Sequence, residues 1–321
     1  MKFTARVFLG IAALSLPCVS NCGAETPTTG GSDVVTVASP KLRATPKDDD
    51  ESGKTTVTAE DQWQDLYQAE VFVTPDDVKL PYRILYPKNF PVDSPADHLD
   101  EESRRSGVEE TQQTYPLLLF LHGAGERGHD NVKQLVHCAV EFSKDKRRTE
   151  YPSFVVFPQC PAGKRWVESD WSLSSGKGAF PAQESGPMAS AMTLLSRLSE
   201  TLPIDKTRVY IAGLSMGGMG AWYAAARHPE RFAAMVEICG GGDPSWAHNY
   251  AGIPIWVFHG GADTVVPVSR GREMINALVD HGHWPEVRYV EYPGVGHNSW
   301  TQTFARDDVF AWLYSHRKEL P

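Results

Sequence analysis

Residues 208–226 constrain the fold of this chain more than any other stretch. Residues 209–212 form a short apolar, β-branched and aromatic run of the kind that fits one buried strand. The run leads directly into Gly-Leu-Ser-Met-Gly and then into an alanine-rich helical segment. A serine on so sharp a turn adopts strained backbone angles, so the residues two before and two after it must be very small. Gly213 and Gly217 hold those positions, and the pattern predicts a strand–turn–helix unit that presents the Ser215 hydroxyl above a sheet.

The rest of the chain supplies further strands and helices in alternation. Apolar strand-like runs occupy residues 116–121, 153–157, 232–238, 253–258 and 287–291. Helical patterns include a stretch with Val132, Leu135, Val136 and Val140, a helix opening at Pro187, one at residues 270–280, and one near 307–320. Fully apolar strands that alternate with helices are typical of a mainly parallel sheet covered on both faces. The predicted fold class is therefore α/β.

An antiparallel hairpin is predicted at one edge of this sheet. Residues 70–74 and 80–86 read as two strands, and a Pro-Asp-Asp turn lies between them. Chain length and a hydrophobic content of 41% allow one large core, and we assign it to a catalytic domain at residues 63–321. Within it, residues 88–115 are polar and acidic and predict a long exposed loop.

The first 24 residues are predicted to be a secretory signal peptide. A basic start is followed by an apolar run at residues 7–16 that is too short to span a bilayer, and small residues up to Ala24 suit a cleavage site. Export to the periplasm or the extracellular space is expected. Lipoprotein anchoring through Cys18 or Cys22 is the less favoured alternative, because the residues before them fit lipid attachment poorly.

Residues 25–62 are expected to form a disordered polar linker. They are rich in Thr, Ser, Pro, Asp and Lys and show no apolar period, so they cannot bury enough surface to offset their chain entropy. The net charge of the chain is −9, and its lysines and arginines are scattered. Nucleic acid and an anionic membrane are therefore not expected as partners.

The carboxyl ends of parallel strands are where functional groups gather, so the partners of Ser215 are sought there. A serine hydroxyl needs a neighbouring base, usually a histidine that a carboxylate orients. Asp263 follows the strand at 253–258, and His297 lies in a glycine-rich loop after the last strand. This order of Ser, Asp and His is that of the α/β-hydrolases. Asp243 is a lower-ranked alternative carboxylate, because the Asp-Pro pair also suits a turn.

A tetrahedral intermediate also needs two donors for its oxyanion. The backbone N–H of Met216, at the start of the helix after Ser215, is one candidate. The other is the N–H of Ala124, in the His-Gly-Ala-Gly loop that follows the strand at 116–121. His122 of the same loop is expected to make structural hydrogen bonds rather than to act in catalysis.

Aromatic residues near these loops are candidates for substrate contacts. Trp171 lies in the long connection at residues 160–186, with Trp166 and Phe180, and Trp300 lies three residues after His297. Exposed aromatic side chains above a catalytic edge suit flat or sugar-like ligands. The alternative is that these tryptophans only hold the loop against the core.

No cofactor and no metal are expected, because the chain has neither the usual zinc motifs nor a phosphate loop. His281 and His283 lack a supporting acid or cysteine cluster and are interpreted as a solvated helix end. After signal cleavage three cysteines remain: Cys138, Cys160 and Cys239. At most one disulfide can form among them, and the sequence does not say which pair would form it.

Six stretches carry a family resemblance: FLHGAGERG (120–128), PQCPAGKRW (158–166), GLSMGGMGAW (213–222), CGGGDP (239–244), FHGGADTVVP (258–267) and YPGVGHNSW (292–300). The second stretch is followed closely by DWS, so that it extends over 158–172. With these stretches the chain resembles secreted bacterial α/β-hydrolase esterases. The resemblance extends to polyhydroxybutyrate-depolymerase-like and plant-biomass (feruloyl, acetyl-xylan) esterases, and to phospholipase/carboxylesterase and dienelactone-hydrolase-type proteins. It implies an α/β-hydrolase fold, ester substrates, and Ser215, Asp263 and His297 as the triad. It implies no role for residues 25–60 or 88–115.

The function expected from these features is carboxylic-ester hydrolysis through an acyl-enzyme on Ser215. The substrate would be a small-molecule or polysaccharide-linked ester, and the site open, since residues 239–253 are too few for a large cap domain. A prolyl-oligopeptidase-like serine peptidase is the alternative, although such peptidases usually carry a propeller or cap. A non-catalytic binding protein with this fold is a further alternative, disfavoured by the intact Ser, Asp and His. The sequence gives no oligomeric state.

Overall fold

The computed structural model of the chain describes residues 59–91, 113–170, 180–283 and 286–319. The predicted signal peptide, nearly all of the linker at 25–62, most of the loop at 88–115, and Trp171 lie outside the described residues. Those assignments therefore stay predictions.

Within the described residues, eight strands form one sheet, as the alternation of apolar runs predicted. Their bounds are β1 Tyr67–Val73, β2 Lys79–Leu85, β3 Tyr115–Leu121, β4 Phe154–Pro158, β5 Ile204–Leu214, β6 Ala234–Ile238, β7 Ile255–Gly260 and β8 Val287–Tyr292. The order across the sheet is β1-β2-β4-β3-β5-β6-β7-β8. β1 and β2 are the antiparallel hairpin at one edge, β2 is antiparallel to β4, and the remaining pairs are parallel. The predicted fold class is confirmed.

Helices cover both faces of the sheet. Their bounds are α1 Ala139–Ser143, α2 Asp145–Glu150, α3 Gly186–Thr201, α4 Met216–Arg227, α5 Ser269–Asp280, α6 Trp300–Phe304 and α7 Asp307–Ser315. Alternate residues of β3 belong to two separate core clusters: Leu119 lies in the cluster that contains Trp222 of α4, and Phe120 in the one that contains Phe310 of α7. Because both faces are buried, β3 reads as a continuous apolar run rather than an alternating one.

The helix predicted around residues 132–140 is wrong in its extent. This segment holds a 3-10 turn at Lys133–Leu135 and then the short helix α1. Cys138, just before α1, has a φ of 68°, a left-handed conformation that interrupts a right-handed helix. Of the apolar positions that suggested a single amphipathic helix, Leu135 is buried, whereas Val132 and Val136 are more than half exposed.

The connection between β6 and β7 is short, as expected. It contains a 3-10 helix at Pro244–Tyr250, and this connection has no room for a lid domain. Across the part of the chain that the structure describes, none of the helices combines the length and apolar character that a membrane span requires.

Candidate active site

Ser215 lies on the turn between β5 and α4, with φ 54° and ψ −120°. A non-glycine residue in this region stores about 1–3 kcal/mol of strain and persists only where its surroundings enforce it. The surroundings here are very tight. A Cβ atom on Gly213 would collide with the carbonyl of Gly217, and one on Gly217 would collide with the carbonyl of Leu121. The N–H of Ser215 donates to Ile238 O at 2.8 Å, which fixes the turn to the end of β6.

The structure brings Ser215, His297 and Asp263 together. Nε2 of His297 lies 2.8 Å from the Ser215 hydroxyl oxygen, and Nδ1 lies 2.7 Å from Oδ2 of Asp263. A carboxylate can only accept, so we assign the imidazole proton to Nδ1, which leaves Nε2 as the acceptor for the serine hydroxyl. The imidazole is thus aligned to take a proton from Ser215 while its other nitrogen is held.

The carboxylate of Asp263 is buried and well provided with donors. Its Oδ1 accepts the N–H groups of Val265 and Val266 at 2.8 and 3.0 Å. Burial by itself would raise the pKa of Asp263, but hydrogen bonds from His259, His297 and the backbone lower it well below its usual range. Asp263 therefore stays ionised wherever His297 is needed as a neutral base.

His259 is a residue of this site that the sequence analysis did not find. It lies near the end of β7, and its side chain is fully buried. Nε2 is 2.9 Å from Val266 O and 3.4 Å from Oδ2 of Asp263. Burial opposes a charge on this imidazole, but the Asp263 contact and the charge of Glu237 raise the pKa of His259. In the sequence, the only sign that His259 belongs to this site was its position four residues before Asp263, in His-Gly-Gly-Ala-Asp.

Asp243, the alternative carboxylate, serves a different purpose. Its Oδ1 accepts from the N–H and hydroxyl of Ser245, which caps the 3-10 helix after β6, and its Oδ2 accepts the N–H of Phe180. Both carboxylate oxygens of Asp243 are therefore engaged in local structure.

The loop after β3 lies directly against Ser215. A Cβ atom on Gly123 would be 3.7 Å from the Cβ of Ser215, so this backbone approaches the nucleophile closely. Ala124 begins a 3-10 turn, Met216 begins α4, and the first N–H groups of a helix have no partner within it. Arg127 holds the loop by donating from Nε to Ala124 O at 2.7 Å. The two N–H groups proposed for the oxyanion thus stand at the starts of two helical segments.

His122 makes the structural hydrogen bonds that the sequence predicted. Its Nε2 accepts the N–H of Cys160 at 2.9 Å, so its proton lies on Nδ1, which donates to Gly123 O at 2.6 Å. Burial lowers the pKa of His122 to about 4, and the ring stays neutral at physiological pH. The backbone of His122 is held as well, because Trp166 Nε1 donates to the carbonyl oxygen of His122 at 3.0 Å.

Trp300 packs on the imidazole of the site. Its ring meets that of His297 edge to face at 5.5 Å and that of His137 at 5.0 Å. His137 Nε2 in turn lies 3.5 Å from Oε1 of Glu126 on the loop after β3. Trp300 itself is partly exposed. Trp166, by contrast, is fully buried and holds its loop to the core.

A thiol completes the surroundings of the triad. Sγ of Cys239, a carboxylate oxygen of Asp263 and a ring nitrogen of His297 lie within 4.8 Å of one another. Burial raises the pKa of Cys239 well above its usual value, which keeps the thiol protonated. Asp263 and His297 are already hydrogen-bonded to each other. We therefore interpret this group as the triad with a neutral thiol beside it, rather than as a metal site.

All three cysteines of the described residues are buried and free: Cys138, Cys160 and Cys239. The single disulfide that the count would have allowed is not formed. The interpretation of His281 and His283 as a solvated helix end is correct for His281, which is exposed, and wrong for His283, which is buried.

Comparison with known proteins agrees with this geometry. Residues 105–311 match the model of the phospholipase/carboxylesterase family, which is more than half of the chain. The chain belongs to this family. The family resemblance stated from the six sequence stretches is thereby confirmed, and the family is one of esterase-type hydrolases.

Several known proteins are similar to this chain in sequence or structure. The crystal structure of a thermostable esterase is 34% identical, with a TM-score of 0.66, and the match covers 79% of this chain and 64% of that one. An acyl-protein thioesterase 1 from Gibberella zeae is 32% identical over 104 residues, 32% of this chain and 37% of its own. An uncharacterized secreted protein from Arthroderma benhamiae is 25% identical over 212 residues, 57% of this chain and 21% of its own. The chain thus spans well under half the length of these two curated relatives.

Proposed function

We propose that this protein is a serine carboxylic-ester hydrolase that works through an acyl-enzyme on Ser215. His297 Nε2 takes the hydroxyl proton as Ser215 Oγ attacks the ester carbonyl, and the N–H groups of Ala124 and Met216 hold the oxyanion. The proton on His297 then passes to the leaving alcohol. Water, deprotonated by His297, attacks the acyl-enzyme and releases the acid.

The observation that carries this proposal is the pair of short contacts made by one imidazole. His297 reaches Ser215 Oγ at 2.8 Å and Asp263 Oδ2 at 2.7 Å, while Asp263 is buried and held ionised. The imidazolium that forms during attack would therefore be stabilised at once by a preorganised charge. Removing such a carboxylate typically lowers kcat by about 10⁴-fold.

We further propose that the substrates are esters outside the cytoplasm, small or carbohydrate-linked. The predicted signal peptide at residues 1–24 supports export, and one similar protein bears the description secreted. The short connection between β6 and β7 and the partly exposed Trp300 favour a site that admits a bulky ester.

Hydrolysis by the purified protein starting at Glu25 tests the proposal against its peptidase alternative. The panel is p-nitrophenyl acetate, p-nitrophenyl butyrate, methyl ferulate, acetylated xylan and an unblocked peptide amide, each with wild type and Ser215→Ala. We expect cleavage of esters alone, lost in the variant. Cleavage of the amide in preference to the esters, or wild-type turnover by Ser215→Ala, would contradict it.

A further inference from the structure

Glu237 is a buried acid that the proposed reaction does not use. It lies in β6, where the sequence predicted only a buried apolar strand, and its side chain has no exposure to solvent. Its register partners are Gly213 of β5 and Val257 of β7. An unpaired carboxylate in the middle of a sheet is expensive to bury, so a residue of this kind calls for a functional explanation.

The carboxylate fills a corner where β6 meets the first turn of α4. Its Oε1 accepts the N–H of Gly240 at 2.5 Å. A Cβ atom on Gly218, in the first turn of α4, would collide with the same oxygen, and one on Gly240 would lie 2.8 Å from the N of Met219. The Glu237 side chain therefore contacts both the loop after β6 and the start of α4. Only glycine fits at positions 218 and 240.

The same corner carries the nucleophile. The carbonyl oxygen of Ile238, next to Glu237, accepts the N–H of Ser215 at 2.8 Å. The backbone N–H of Cys239 donates to Phe258 O at 2.8 Å, and Cys239 has a φ of 43°. The bond from Gly240 to Glu237 closes the turn around these two residues. Anything that loosens this turn shifts Ser215 and the Met216 N–H together.

Several groups from neighbouring elements face the Glu237 carboxylate: Trp222 from α4, Cys239 from the turn, Tyr250 from the 3-10 helix, His259 from β7 and Asp263 from the loop after it. Burial raises the pKa of Glu237 to about 7, against the opposing effects of His259 and the Gly240 N–H. The carboxylate is therefore neutral in mild acid and charged above neutrality.

We propose that Glu237 is a positioning residue for Ser215, and that its ionised form supports the reaction. The ionised carboxylate binds the Gly240 N–H more strongly than the neutral acid does, and so holds the turn beneath the nucleophile. Its charge, facing His259 and Asp263, also favours the imidazolium that His297 forms during attack. This inference rests on the proposed function.

Glu237→Gln tests it, because an amide copies the neutral acid in shape and keeps an oxygen for Gly240. We expect kcat on p-nitrophenyl acetate to equal that of wild type at pH 5.5 and to fall about threefold to tenfold below it at pH 8.5, with KM unchanged. Glu237→Met, which loses the acceptor as well, should be impaired at both pH values. Glu230→Gln, at an exposed acid, is the control and should follow wild type throughout.

Thermal unfolding supplies a readout independent of ester turnover. The Tm of Glu237→Gln should match wild type near pH 5 and exceed it by about 5 °C or more at pH 8.5, where the wild type carries the buried charge. A side chain that does not position Ser215 could still give the pH-dependent Tm difference, but the ratio of its variant's kcat to that of wild type would not change with pH. A constant ratio would overturn the proposal. A Gln variant that fails to fold at pH 5.5 would also overturn it, since that form mimics the neutral wild type.

Failure of the proposed function would look different. If wild type hydrolyses no ester, the rate at which a fluorophosphonate labels Ser215 replaces kcat in the same comparison. Equal labelling of wild type and Glu237→Gln at both pH values, with equal Tm, would reject the role of Glu237 whatever the substrate proves to be.

Discussion

Nε2 of His259 lies 3.4 Å from Oδ2 of Asp263, the same oxygen that His297 contacts at 2.7 Å. Two imidazoles thus share one carboxylate oxygen, one of them partly exposed beside Ser215 and the other fully buried in β7. His259 also reaches Val266 O, and Val266 N donates to Oδ1 of Asp263. The buried histidine therefore fixes both the carboxylate and the loop that carries it.

Replacing His259 should weaken turnover without removing any proposed catalytic group. In His259→Asn we expect kcat to fall about tenfold, because Asp263 loses the imidazole that contacts its Oδ2, while KM changes little. Steady-state kinetics on p-nitrophenyl butyrate measure this. His281→Asn, at an exposed histidine, is the matched control, and an equally active His259→Asn would show that the contact has no catalytic consequence.

Replacing each candidate carboxylate by asparagine should affect a different property: activity at Asp263 and stability at Asp243. Asp263→Asn should lower kcat by about 10³- to 10⁴-fold with little loss of stability, since an amide cannot hold the required tautomer of His297. Asp243→Asn should retain most activity but lose about 1 kcal/mol of stability through its weakened cap. Kinetics and urea unfolding of both variants distinguish the roles, and a greater loss of kcat in Asp243→Asn would reverse our assignment.

The nucleophile turn should tolerate no side chain at its glycines. Gly213→Ala places a methyl group against the carbonyl of Gly217, where backbone rather than a flexible side chain must move. We expect little soluble protein, or a Tm lowered by well over 5 °C with activity lost. Gly186→Ala, where an added Cβ meets nothing within 4 Å, should express and react like wild type. Similar behaviour of the two variants would argue against the strained turn.

Acid should destabilise the protein through His122. Its pKa is lowered to about 4 in the folded chain against 6.5 in the unfolded one, so the unfolded state binds more protons between these values. The burial of neutral His122 therefore contributes to the free energy of unfolding by about 3 kcal/mol at most. This contribution is fully present above pH 6.5 and is lost as the pH falls through 4. In His122→Gln the free energy of unfolding should be lower at pH 7 but should fall less between pH 6.5 and 4. Parallel curves for the two proteins would contradict the buried neutral imidazole.

The sheet and the grouping of Ser215, Asp263 and His297 could be predicted because their signals are local. Gly213 and Gly217 reveal a turn by their size alone, and the strands of a doubly covered sheet read as unbroken apolar runs. Asp263 and His297 then follow from the rule that strand ends share one edge of the sheet.

The features that could not be predicted from the sequence depend on contacts between residues that are distant along the chain. Val132 and Val136 fit a helical period, but Cys138 takes a left-handed φ and the chain leaves the helix. His259 and Glu237 lie within strands, where a single polar residue cannot be told from an ordinary buried hydrogen-bonder until its neighbours are known. His283 is buried by packing that no pattern around it indicates.

The central claim is that Ser215 forms the acyl-enzyme, and trapping that intermediate tests it most directly. The protein is mixed with p-nitrophenyl acetate, quenched in acid within the first turnovers, digested and mapped by peptide mass spectrometry. We predict one acetyl group on the peptide that contains Ser215, absent from Ser215→Ala and accumulating in Asp263→Asn only at a much reduced rate. Ester turnover with the acetyl group on another residue, or an undiminished acetylation rate in Asp263→Asn, would contradict the account.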